Sequence, residues 1–169
     1  EQAQIADELG FAYVSMGEVT GWNAVPVLTQ IAERTEQVGI TNDVFSPYSR
    51  SPALLAQTGL TLQEATGGRY RLGVGTSSPA VVEGWHGKSF DRPLRRVREA
   101  IDIVREIASG ERVSYSGDIF EVGGHSYTRE IPDAPLKIDV ASLGPKSVEL
   151  AGRFADGWIP QLFTRDGLR

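Results

Sequence analysis

The chain has 169 residues and a mass of 18.3 kDa, with 40% hydrophobic and 23% charged residues, which suits one packed core and excludes a disordered chain. It has no cysteine, so disulfides, thiolate nucleophiles and cysteine-bound metals are excluded. Two histidines, His86 and His125, leave little for a histidine metal site, and no metal is expected. Seventeen basic against 22 acidic residues give a net charge of −5. That sign repels phosphate backbones, so no nucleic-acid partner is expected. An apolar run of about 18 residues, the minimum for a membrane span, is absent, and no signal-like segment is seen. The expectation is a cytoplasmic protein with no membrane partner. The chain starts at Glu1 within a helical pattern and without an initiator Met, which suggests an excerpt of a longer protein.

In chain order, Ile5, Ala6 and Leu9 mark a helix over 1–9 that Gly10 stops. A β-prone run follows from Phe11 to Ser15. Residues 23–37 carry Val27, Leu28, Ile31 and Ala32 on one stripe and charges opposite, which predicts an amphipathic helix. Val38 to Phe45 reads as a strand. Ser51-Pro52 is a cap-and-proline start, and the helix it opens runs to Thr66 before Gly67-Gly68. Arg69 to Val74 is the next strand. A helix from Asp91-Arg92-Pro93 buries Leu94, Val97, Ile101 and Val104 and ends at Gly110. Its Arg95, Arg96 and Arg98 read as a solvated face paired with Glu99 and Asp102. Between 111 and 132 the rhythm breaks into a β-hairpin, Val113–Tyr115 and Ile119–Val122 about a Ser116-Gly117-Asp118 turn. A strand (Leu136–Ala141), a helix (Pro145–Ala155) and a strand (Asp156–Phe163) close the pattern.

Repeated βα units build either an open doubly wound sheet or a (β/α) barrel, and both place the site beyond the carboxyl ends of the strands. Four loops therefore matter: 16–18, 41–43, 75–78 and 142–144. In Leu72-Gly73-Val74-Gly75-Thr76-Ser77-Ser78 the third glycine of a dinucleotide fingerprint is missing, and Pro79 argues against a helix directly after it. The two glycines fit either a tight strand-end turn or a close approach of a flat cofactor. Ser142-Leu143-Gly144-Pro145-Lys146 reads as a helix start with free N–H groups, suited to an anion, or as an ordinary βα turn. Asp43 is either a ligand or base at a strand end or a turn residue. Glu83, Trp85 and His86 form a carboxylate–imidazole cluster, either packed or functional. Trp22 is either a pocket wall or core.

The ordered segments Tyr48-Ser49-Arg50-Ser51-Pro52-Ala53, Gly67-Gly68-Arg69-Tyr70-Arg71-Leu72-Gly73-Val74-Gly75-Thr76 and Arg92-Pro93-Leu94-Arg95-Arg96-Val97-Arg98-Glu99 resemble the luciferase-like flavin/F420-dependent oxidoreductases. So do Gly110-Glu111-Arg112-Val113-Ser114-Tyr115-Ser116-Gly117, Ala141-Ser142-Leu143-Gly144-Pro145-Lys146 and Ala155-Asp156-Gly157-Trp158. The nearest likeness is the F420-dependent branch that includes methylenetetrahydromethanopterin reductase, and Val81 to Gly87 resembles a haloarchaeal subgroup of it.

That resemblance implies a (β/α)8 barrel of which residues 1–169 supply about five βα units, strands two to six, as one domain with the 111–132 hairpin inserted. The first strand and the last two units are absent, since a full barrel takes about 250 residues. The implied cofactor is coenzyme F420, with FMN as the alternative, and a small-molecule substrate. A non-prolyl cis peptide is implied at Asp43–Val44, behind the ring. Gly75, Thr76, Ser77 and Ser78 match a cofactor-contact loop, and Ser142, Gly144, Pro145 and Lys146 match the loop near the phosphate-bearing tail. Met16-Gly17 stands where this branch has an Asp-His pair, which leaves Glu18, then His86, as the proton-handling candidates. The implied activity is hydride transfer between F420 and an organic substrate. The alternatives are an FMN-dependent monooxygenase and a non-catalytic scaffold relative. A homodimer is a further implied property.

Overall fold

The computed structural model describes residues 1–160. Its elements are α1 (Gln2–Glu8), β1 (Tyr13–Met16), α2 (Ala24–Ala32), β2 (Gly39–Asn42), α3 (Pro52–Ala65), β3 (Tyr70–Val74) and α4 (Pro79–Gly84). They continue as α5 (Pro93–Ala108), β4 (Ser114–Ser116), β5 (Glu121–Gly123), β6 (Lys137–Ala141), α6 (Pro145–Phe154) and β7 (Gly157–Ile159). β1, β2, β3, β6 and β7 form one parallel sheet in that order, while β4 and β5 pair as a separate antiparallel hairpin.

The strand order decides between the two candidate architectures. A doubly wound sheet reverses direction at a switch point. Here each new strand adds to the same edge, so the sheet is an arc of a (β/α) barrel.

Ile40, Leu72, Ile138 and Val140 from the strands meet Leu55, Leu60, Leu62, Ile101, Ile103 and Val104 from α3 and α5 in the buried core. Each such side chain contributes about 1.5–3 kcal/mol by leaving water. α3 starts as its sequence predicts: Ser51 Oγ accepts from the Leu54 N–H at 3.2 Å, and Pro52 occupies the first turn. Among the described residues, no helix is long and apolar enough to cross a membrane.

Several boundaries depart from the sequence reading, each for a local reason. α2 ends at Ala32, not Gln37, because Asp7 on α1 draws the backbone out of the helix. Its carboxylate accepts from the N–H groups of Glu36, Gln37 and Val38 at 2.8, 2.9 and 2.5 Å. β2 stops at Asn42, and the chain bulges before Phe45 rejoins β3 through Phe45 N–H to Gly73 O and Gly75 N–H to Phe45 O, both 3.0 Å. A helix does follow Ser78. Pro79 stands in its first turn and Ser78 Oγ caps it, accepting from Val81 N–H at 3.4 Å. The last strand covers Gly157–Ile159; the 161–163 part of the predicted strand lies outside the described residues.

The hairpin is pinned to α5 by one buried carboxylate. Glu99 accepts from the N–H groups of Asp118, Ile119 and Phe120 at 3.0, 3.0 and 3.1 Å and from Arg95 Nε at 2.8 Å. Arg98 pairs with Asp102 as expected, at 2.8 Å. Arg96 corrects the solvated-face reading: its guanidinium lies 4.5 Å from the Tyr48 ring centre and 5.3 Å from that of Phe120.

Burial raises the Glu99 pKa, but the Arg95 guanidinium and the three N–H donors outweigh it and hold the carboxyl below its ordinary value of 4.5. A carboxylate with a depressed folded pKa stabilises the fold above about pH 4.5, and that stability is lost as pH falls through the lowered value. Glu99→Gln is therefore expected to cost about 1.5–3 kcal/mol at pH 7. The deficit should shrink as pH drops below 4, as urea unfolding at both pH values would report. An equal deficit at both would show that the charge of Glu99 plays no part.

Candidate active site

A cleft of about 540 Å3 opens at the carboxyl ends of the parallel strands. Glu18 reaches it from the loop after β1, Asp43 and Val44 from the bulge after β2, and Gly75 to Ser78 from the end of β3. Ser142 and Gly144 enter from the end of β6, and His86 from the turn after α4. These candidates, scattered over 127 positions from Glu18 to Gly144, line one cavity. Pro145 and Lys146 do not: α6 turns them outward to solvent, and Ser147 lines the cleft instead. Sequence reading also missed Ser46, Ser49, Val81 and Leu94 in the lining. Ser46 and Ser49 sat in view, in the long polar loop after β2, without a spacing that singled them out.

Three small or apolar residues from neighbouring strand ends meet within the cleft. A Cβ added to Gly75 would lie 2.5 Å from a Val44 methyl and 3.5 Å from the Ala141 methyl, so only glycine leaves that surface flat. The Asp43–Val44 peptide beside it is cis, at the bond the resemblance implies. Behind the bulge, Asn42 is fully buried and bridges β2 to β3. Its Nδ2 donates to Gly73 O at 2.7 Å, and its Oδ1 accepts from Gly73 N–H at 2.9 Å and Tyr70 Oη at 2.5 Å.

The rim is polar. Ser77 holds a left-handed backbone, φ +60°, uncommon for a residue other than glycine. Among the described residues Ser142 Oγ is buried without a hydrogen-bond partner, and Ser142 lines the cleft. An unpartnered hydroxyl, a ledge only glycine permits and a ring of hydroxyls fit a planar, hydrogen-bonding ring system. The chemistry of the residues is therefore compatible with a flavin or deazaflavin.

The two proton-handling candidates differ. Arg50 donates Nε to Glu18 Oε1 at 2.9 Å and Nη2 to Oε2 at 2.8 Å, and Ala24 N–H also donates to Oε2 at 2.9 Å. Burial raises the Glu18 pKa, but the hydrogen bonds from Arg50 and Ala24, with the charge of Arg50 and then His86, win and lower it. Glu18 is thus held as a carboxylate. His86 follows α4, with its backbone N–H on Val81 O at 3.1 Å, and faces the same cavity. Trp22 is settled as well: it is 74% exposed and not part of the core.

A one-directional parallel sheet with its cavity at the strand tips defines the (β/α)-barrel class of fold. Within that class the chain belongs to the luciferase-like monooxygenase family, which matches residues 1–169. A Mycobacterium tuberculosis protein named as a coenzyme F420-dependent oxidoreductase is 34% identical, over 97% of this chain and 51% of the relative. The 5,10-methylenetetrahydromethanopterin reductase of Archaeoglobus fulgidus is 33% identical, over 91% of this chain and 46% of its own. Among solved structures, an F420-dependent secondary alcohol dehydrogenase bound to an F420–acetone adduct superposes with a TM-score of 0.85 and 25% identity, over 94% of this chain and 52% of that one. The chain spans about half the length of the relatives it matches.

Proposed function

We propose that this chain forms the cofactor-bearing part of a coenzyme F420-dependent oxidoreductase that moves a hydride between the deazaflavin and a small organic substrate. The observation that carries the reading is the single cleft that gathers the Asp43–Val44 bulge, the Gly75 ledge and the unpartnered Ser142 hydroxyl. The F420-dependent relatives support the choice of cofactor.

When bound, the deazaflavin supplies or takes the hydride at its C5. The chain's own residues do the rest. Val44, Gly75 and Ala141 would bear one face of the ring, with Asp43 in the bulge beside them. Thr76, Ser77, Ser78 and Ser142 offer hydroxyls to its polar edge. Gly144 and Ser147, which line the cleft at the start of α6, would meet the phosphate-bearing tail, with Lys146 adding its charge from outside the cleft. His86 gives or takes the proton. Glu18, held as a carboxylate by Arg50, lines the same corner of the cleft as His86.

Fluorescence titration of the purified protein with F420 and with FMN tests this. Saturable F420 binding is expected, at least tenfold tighter than FMN. His86→Gln should lower turnover about 100-fold, the usual scale for losing a general acid or base, while F420 affinity changes less than threefold. Retained FMN with NADH-driven oxygen uptake would replace this reading with a flavin monooxygenase. A folded protein that binds neither cofactor would leave a scaffold.

A further inference from the structure

A second cavity of about 370 Å3 adjoins the cofactor cleft and shares Glu18, Val19, Ser49 and His86 with it. The rest of its lining sets Trp22, Trp85, Leu54 and Gly21 beside Asn23 and Arg50. Trp22, from the loop before α2, is 74% exposed, and Trp85, at the end of α4, is 63% exposed; Leu54 of α3 adds an aliphatic edge. Two tryptophans bordering one cavity and left open to water cost hydration free energy that a bound ring would recover.

The charge in this cavity is already spent. Arg50 gives Nε and Nη2 to Glu18, and Nη2 also contacts Asn23 Oδ1 at 3.3 Å, so the Nε–Nη2 edge that would grip a carboxylate is already taken. The Arg50–Glu18 pair at the junction is mutually neutralised and lends no net attraction to an anion on its way to His86. The volume lies at the small end of ligand pockets, with room for one or two fused rings.

We infer that the Trp22–Trp85 cavity is the substrate subsite, and that it selects an uncharged, flat, ring-bearing organic molecule, placed against His86 at the junction of the two cavities. This rests on the proposed cofactor reading, since it assigns the neighbouring cleft to the deazaflavin. Stacking on tryptophan supplies affinity and the paired Arg50–Glu18 supplies discrimination against acids.

The test is calorimetric titration of the F420-loaded protein with α-tetralone, an uncharged bicyclic ketone, and with 1-naphthoate, its anionic counterpart in size. α-Tetralone should bind saturably and at least tenfold tighter than 1-naphthoate. Trp85→Ala should weaken α-tetralone at least tenfold, and Trp85→Phe less than threefold, with F420 affinity within twofold in both. Equal or tighter binding of 1-naphthoate overturns the inference. So does a Trp85→Ala variant with unchanged α-tetralone affinity, most plainly if its Tm or oligomeric state shifts, because the tryptophans then form a protein-packing face. A parallel loss of F420 affinity assigns them to the cofactor and also overturns it. Failure of the wild-type protein to bind F420 at all refutes the cofactor reading instead, and the two failures are told apart by that first titration.

Discussion

Asn42→Ala is expected to destabilise the protein by about 3 kcal/mol, which for a chain of this size is a fall in Tm of about 6–12 °C. The substitution removes a fully buried amide that holds both backbone groups of Gly73 and the Tyr70 hydroxyl. Gly73 O keeps the Phe45 N–H as a partner. The Gly73 N–H and the Tyr70 hydroxyl are left buried with none, and each such orphan costs about 1–3 kcal/mol. Burial pushes the Tyr70 hydroxyl far above the ordinary tyrosine range, so it stays a donor that needs an acceptor. The neighbouring Thr41→Val is the control, expected within about 0.5 kcal/mol, because the Thr41 hydroxyl makes only a 3.5 Å contact to the next carbonyl. Thermal unfolding of the three proteins decides it. A shift below 3 °C for Asn42→Ala would mean that the β2–β3 junction does not depend on this side chain. Because Asp43 and Val44 hang from that junction, F420 affinity should fall with the stability.

Most of the helix–strand alternation was legible because it rests on local periodicity. Ile101, Val104 and Val97 fall on one face of α5 in the sequence and in the structure alike. The missed features share a different physics: one side chain answering backbone donors far along the chain. Asp7 ends α2 from 29 to 31 positions away, and Glu99 pins a turn 19 to 21 positions on. No periodic pattern encodes such a pairing. α4 is a different kind of miss. Ser78-Pro79 is the same start signal as Ser51-Pro52, and the lack of a long apolar stripe after it hid a helix of only six residues. The choice of barrel over doubly wound sheet was also beyond periodicity, which gives strands but not their neighbours. At the site, Gly75 and Ser142 line the cleft at the strand ends as the strand-end rule predicts, while the rotation of α6 carries Lys146 to the outer side. The resemblance contributed what spacing could not, the position of the cis bond at Asp43–Val44.

Gly75→Val is expected to weaken F420 binding by about 100-fold, equivalent to about 2.7 kcal/mol, while the fold survives. The added Cβ would sit 2.5 Å from the Val44 methyl, inside contact distance. Val44 is only half-buried, so it can yield toward the cleft rather than into the core, and the cost in stability stays within the 1–3 kcal/mol typical of overpacking. What is lost is the level ledge: two β-branched side chains would now rise where a flat ring must rest. The same geometry predicts coupling. Gly75→Ala alone should weaken F420 at least tenfold, and Val44→Ala alone less. The double variant Gly75→Ala, Val44→Ala should bind tighter than Gly75→Ala, because the truncated Val44 vacates the space the new methyl needs. A double-mutant cycle on F420 affinity reads that coupling directly. Additive effects would mean that Val44 and Gly75 do not share one surface under the ring, and the cofactor placement argued from this ledge would have to be abandoned.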